Sequence, residues 1–237
     1  MPEPRPGDDI EIWTGEPTRG TRISYGFVRG LILLVAKLLG RVTVIGAETI
    51  PVDGAFVLAP VHRSNVDFAL ASLVTKRPMR YMGKDSIWKS RPLGRFVSTL
   101  GAFPVHRGSA DRDALQACID IVAGGSPLVM FPEGTRCSCP VVEELFDGTA
   151  YVAAKAGAPI IPVGIGGSEA MMPKGAKLLH FSRLVLVVGG PIAAPERTEK
   201  GRIPRSAVSA VTERLHGDLQ DLFDDAQVRA GRPNPPR

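Results

Sequence analysis

Three cysteines in 237 residues are too few for a disulfide framework. Cys118, Cys137 and Cys139 show no metal-ligand spacing, and Cys137-Ser138-Cys139 lacks neighbouring partners for a tetrahedral zinc site. All three are expected as reduced thiols, and no metal is expected. Aromatic residues make up only 6% of the chain. No basic run is interleaved with them, which leaves no stacking platform and argues against a nucleic-acid partner. No uncharged stretch approaches the ~20 apolar residues that a membrane span requires. The amino terminus, Met1 to Asp9, has neither a basic start nor an apolar signal core, the pattern of a chain that is not exported. Nothing repeats internally.

What is present fits one folded domain with small appendages. Hydrophobic residues make up 44% and charged residues 22%, ordinary values for a globular protein with a sizeable core. The net charge of +5 suits an anionic partner, whether a membrane surface or a phosphorylated substrate.

Residues 1–20 are proline-rich and polar, and are expected as a flexible tail. Residues 21–41 fit an amphipathic helix. Arg22, Gly26, Arg29 and Lys37 share one side; Phe27, Leu31, Leu34, Val35 and Leu38 share the other. Such a helix either lies in a membrane interface, its cations towards anionic headgroups, or packs on the protein core. From 42 to 226 strands and helices alternate. Strands are expected at 41–45, 55–61, 79–82, 102–105, 127–131, 159–165 and 184–188. Helices are expected at 68–76, 92–100, 111–123, 146–155 and 206–226, and residues 227–237 as a second flexible tail. Alternation predicts an α/β fold with a mixed, largely parallel central sheet flanked by helices.

Three polar clusters fall just past strand ends, where open α/β sheets bind their ligands. The first is His62-Arg63-Ser64-Asn65-Val66-Asp67, with Ser64 or Asn65 as helix N-cap. In a straight strand His62 and Asp67 would lie about 17 Å apart, and on one helix roughly 140° apart. Only a sharp strand-to-helix bend brings them together. The carboxylate would then fix the imidazole tautomer, and the imidazole could take a proton from a hydroxyl. The second cluster runs from Gly101 to His106-Arg107. The third is Phe131-Pro132-Glu133-Gly134-Thr135-Arg136. A guanidinium at Arg107 or Arg136 could grip a phosphate. Glu133 could bind a polyol or pair with an arginine, and Gly134 with Thr135 offers free backbone N–H groups.

In this order the clusters resemble the glycerolipid acyltransferase family, whose best-known members are 1-acylglycerol-3-phosphate acyltransferases. His62 and Asp67 match its H-x4-D pair, Gly101 to Arg107 its G-x-x-F-V-D-R block, and Phe131 to Arg136 its F-P-E-G-T-R block. Ile161-Pro162-Val163 matches its apolar I-P-V segment. The resemblance covers about residues 40 to 195. It implies that His62 is a general base oriented by Asp67. Arg107, Glu133, Gly134, Thr135 and Arg136 would hold a glycerol phosphate, and Pro162 would shape the acyl pocket. It also implies a lipid acceptor, an acyl-CoA or acyl carrier protein donor as co-substrate, and no cofactor. Peripheral association with the cytoplasmic face of the cell membrane follows from the same reading. Two positions depart from the family pattern. His106 stands where Asp is frequent, and could bond a substrate hydroxyl. Asp147 precedes a glycine where Lys is common. Both keep open a different lipid acceptor, a glycolipid or lysophospholipid. A non-catalytic membrane lipid-binding protein is the alternative outside enzymes.

Overall fold

The computed structural model describes residues 17–105, 112–173, 175–176 and 178–236. His106 and Arg107 lie outside the described residues, as does most of the expected amino-terminal tail.

The chain opens with helix α1 (Arg19–Gly40), capped by the Thr18 side chain, which accepts the Thr21 N–H. Strand β1 (Thr43–Ile45) follows, then β2 (Val57–Pro60), helix α2 (Asp67–Ala71), β3 (Arg80–Lys84), α3 (Arg91–Thr99) and β4 (Ala102–Val105). The second half supplies α4 (Arg112–Ala123), β5 (Leu128–Val129), α5 (Gly148–Ala156), β6 (Ile160–Gly166), α6 (Ser168–Met171), β7 (Val185–Val188) and α7 (Arg205–Ala230). The seven strands form one sheet in the order β1-β7-β6-β2-β5-β3-β4. Every pairing is parallel except β6 with β7. The sheet is therefore mixed and largely parallel. Its central strands β2 and β6 are buried along their whole length, as their unbroken apolar sequence requires.

Helix α7 lies on β6 at backbone distance. A Cβ added at Gly164 would come within 2.2 Å of the Leu222 carbonyl oxygen, and one at Gly166 within 2.3 Å of that of Ala226. The glycines are what let the helix seat there. The helix runs through Ala230, with Gln227 and Ala230 buried, so the tail expected from 227 begins only at Gly231. The Gln227 side chain accepts the Gly167 N–H, which fastens this last turn to the end of β6.

Two local expectations are corrected. Helix α2 is shorter than 68–76, because Arg29 takes the carbonyls of Ser72, Leu73 and Thr75. Arg29 therefore points into the protein, not towards headgroups. On the opposite side of α1, Ile23, Phe27, Leu31, Leu34 and Leu38 form an exposed apolar stripe, with Phe27 at 74%. At 22 residues α1 is long and apolar enough to cross a membrane, by length and composition alone. Its inner side is nonetheless committed to the domain: Tyr25 and Ala36 are buried, and Arg29 holds the end of α2.

Candidate active site

β2 and β5 are neighbours, and His62 and Glu133 each follow the carboxyl end of one of them. After Pro60 the chain bends sharply into α2, and the bend closes the gap computed for a straight strand. His62 Nδ1 lies 3.3 Å from Asp67 Oδ2. The same oxygen accepts the backbone N–H of Arg63 at 2.6 Å and of Ser64 at 2.5 Å. Asp67 thus organises the turn as well as the imidazole. Its side chain is fully buried, whereas that of His62 is 16% exposed. With the Nδ1 proton donated to Asp67, Nε2 is left as the ring's acceptor. The ring stacks on Phe131 with centroids 4.0 Å apart, so neither its tilt nor its position is free.

The expected caps do other work. Val66 precedes α2 and the helix has no side-chain cap. Ser64 Oγ donates to the Met172 carbonyl at 2.9 Å, and Asn65 Oδ1 accepts from Arg136 Nη1. Sequence reasoning chose them because Ser and Asn are good caps. The turn instead fills its free N–H groups from Asp67.

Glu133 is buried and its oxygens are occupied. Arg63 Nη1 donates to both, at 2.7 and 2.9 Å, while the His62 N–H donates to Oε2 at 2.9 Å. The Glu143 N–H adds a longer bond at 3.3 Å. Of the two roles expected for Glu133, the structure shows the arginine pair. Its partner is an arginine the sequence reading passed over. Arg63 sits next to His62 in the chain, where it reads as a turn residue. In the fold it is buried, its guanidinium lies 4.8 Å from the Phe223 ring centroid, and it also donates to the His62 and Val141 carbonyls. Glu133 and Arg63 together hold the His62 backbone in place.

Gly134 adopts a left-handed conformation, φ 66°, and a Cβ there would meet the Phe146 ring at 2.8 Å. Gly134, Thr135 and Arg136 are exposed at the rim, and Arg136 bridges to the His62 loop through Asn65. The Gly134 and Thr135 N–H groups, expected to be free, instead donate to the Phe131 and Glu133 carbonyls, which close the tight turn. Pro162 is buried inside β6, opposite Ala59, and its carbonyl accepts the Gly189 N–H. Asp147, in the position where a cation was expected, is turned towards α7: Thr212 Oγ1 donates to it at 2.8 Å. Two further groups went unseen in the sequence. Ser168 Oγ is buried with no hydrogen-bond partner among the described residues. Glu169 follows it in α6. Burial pushes its carboxyl up, the nearby Arg63 guanidinium opposes this, and the Asp67 charge adds to the rise.

The cysteine expectation is also corrected. Cys137 and Cys139 are joined in a disulfide, their Cα atoms 5.5 Å apart, while Cys118 is a buried thiol outside it. The turn that follows Arg136 folds the two onto each other, a bridge across a single residue.

An oriented imidazole at the end of a central parallel strand, beside the exposed Arg136, is chemically able to take a proton from a hydroxyl. The Acyltransferase family matches residues 41–166, a span that holds His62 to Asp67, Phe131 to Arg136 and Pro162. The chain belongs to the acyltransferase family and is an O-acyltransferase. It is 26% identical over 200 residues to a 1-acyl-sn-glycerol-3-phosphate acyltransferase of Bacillus subtilis, covering 84% of this chain and 96% of that one. A Streptococcus pneumoniae protein of the same name is 27% identical over 222 residues, covering 91% and 80%. The fold matches the crystal structure of the 1-acyl-sn-glycerophosphate acyltransferase PlsC from Thermotoga maritima, with a TM-score of 0.70 and 23% identity over 85% of this chain and 80% of that one.

Proposed function

We propose that this acyltransferase moves a fatty acyl group from a thioester, acyl-CoA or acyl carrier protein, to the sn-2 hydroxyl of 1-acylglycerol-3-phosphate in phospholipid synthesis. The observation that carries the chemistry is the contact at 3.3 Å between Asp67 and the part-exposed His62 side chain. Nε2 takes the acceptor's hydroxyl proton as its oxygen attacks the thioester carbonyl, and the collapsing intermediate expels the thiolate, which recovers that proton as thiol. No acyl-enzyme forms and no cofactor takes part. The names of the bacterial relatives support the acceptor. In this reading Arg136 and Arg107 grip the phosphate, the exposed Thr135 side chain and His106 bind the glycerol end beside Gly134, and Pro162 backs the acyl region. The exposed stripe on α1 supports peripheral attachment, on the cytoplasmic face where acyl thioesters are made.

Purified protein given oleoyl-CoA or acyl carrier protein thioester, with 1-acylglycerol-3-phosphate or lysophospholipids as acceptors, tests the reading. Free thiol release with 1-acylglycerol-3-phosphate is expected, and it is lost in His62→Ala with an unchanged thermal melt. Equal turnover by His62→Ala would refute the mechanism, and preference for a lysophospholipid would change the acceptor.

A further inference from the structure

The segment after Arg136 packs directly behind the catalytic histidine. The Cys137 N–H donates to the His62 carbonyl at 3.1 Å. Two residues on from Val141, whose carbonyl accepts from Arg63, Glu143 turns its side chain back towards the two sulfurs while its N–H donates to Glu133. Glu143 Oε1 lies 3.0 Å from Cys137 Sγ and 3.7 Å from Cys139 Sγ. The three ligand atoms fall within 4.8 Å of one another.

A disulfide sulfur carries no proton, so nothing binds it to a carboxylate oxygen. At 3.0 Å the oxygen is already within ligand-sharing reach of the sulfur, and with the cysteines reduced a thiol proton or a cation can lie between them. A tetrahedral Zn2+ site with two thiolates and one carboxylate separates its sulfurs by about 3.8 Å and each sulfur from the oxygen by about 3.6 Å. The two sulfur–oxygen distances observed straddle the second value, and opening the disulfide lets the sulfurs reach the first by side-chain rotation. Both cysteines are partly accessible, and the Glu143 side chain is exposed, so a cation has a path in and a water a place as the fourth ligand.

We propose that Cys137, Cys139 and Glu143 form a binding site for one thiophilic divalent cation of the zinc type, open when the cysteines are reduced. An external dithiol gives two electrons and two protons to the disulfide and is itself oxidised to a disulfide. The metal then displaces the two thiol protons into solvent and takes two thiolates and the carboxylate as ligands. Loaded, the site clamps the segment whose backbone holds the His62 carbonyl. The assignment does not depend on which lipid is acylated.

The full chain, reduced with a phosphine and freed of reductant, is titrated with Zn2+ against a chromophoric chelator, and separately with Cd2+. One cation per chain is expected, bound at least tenfold more tightly than by Cys137→Ser/Cys139→Ser, with a thiolate-to-cadmium charge-transfer band that the double variant and the oxidised protein lack. Glu143→Gln keeps the band and loses at least tenfold in affinity. A thermal melt of each variant confirms that it is folded, and Cys118 is common to all of them as background. Reduced wild-type protein binding no better than the double-serine variant, or showing no band, overturns the site. Full affinity in Glu143→Gln overturns the three-ligand assignment.

Discussion

Asp67 offers one carboxylate oxygen to three N–H groups, two of them backbone. Asp67→Asn therefore removes an imidazole partner and loosens the turn that carries it. Turnover should fall on the order of 10⁴-fold, with a lower melting temperature, both read on the same preparation. The Arg63–Glu133 pair is fully buried on both sides, and breaking one partner leaves a charge stranded in the core. Arg63→Met should cost about 3–5 kcal/mol in chemical denaturation. Arg63→Met/Glu133→Leu should recover part of that, because neither charge is left unpaired. Glu169 predicts a pH effect. Its folded-state pKa is raised, so its contribution is fully present in acid and is lost as pH rises through the raised value. Glu169→Gln should raise the melting temperature above that value and leave it unchanged in acid.

At the scale of elements, α1 has two unlike sides. Its inner side meets β3 through Tyr25 and Tyr81, whose hydroxyls lie 3.5 Å apart. Burial pushes both phenols above their ordinary value of 10.0, Tyr81 the further. Neutral tyrosines are part of this contact, so stability is lost as pH rises beyond the ordinary phenol value. A melt series in alkali, compared with Tyr81→Phe, should show the loss lessened in the variant. The outer side carries Phe27 and Leu31 into solvent. Phe27→Glu/Leu31→Glu should weaken binding to anionic vesicles about tenfold or more, at an unchanged melt, as measured by cosedimentation.

The whole molecule is tied together by α7, which crosses from α5 to the end of β6. Thr212 bonds Asp147, His216 and Gln220 hold the Val142 backbone, and Phe223 lies under Arg63. A helix far from the motifs in sequence thus supports the floor of the site. Gly164→Ala would push α7 off β6, since the added carbon meets backbone atoms at 2.2–2.6 Å. A loss of about 1–3 kcal/mol is expected in denaturant, and turnover should fall with it, because Phe223 and Val142 move together with the helix.

The alternating pattern of apolar runs, by itself, determined an α/β sheet with His62 and Phe131–Arg136 past the ends of buried strands, since buried parallel strands read directly as continuous apolar segments. The spacing of His62 and Asp67 told that a bend was needed, and the bend is there. Pairings over long separations were not legible, because one sequence does not say which charge will be shut in with which. The tertiary structure chose Arg63 for Glu133, seventy residues away, gave Asp147 to Thr212, and turned Arg29 inward to the end of α2. It also decided the outward side of α1, because Arg29 turns in to the carbonyls of Ser72, Leu73 and Thr75, and the apolar stripe is left facing out.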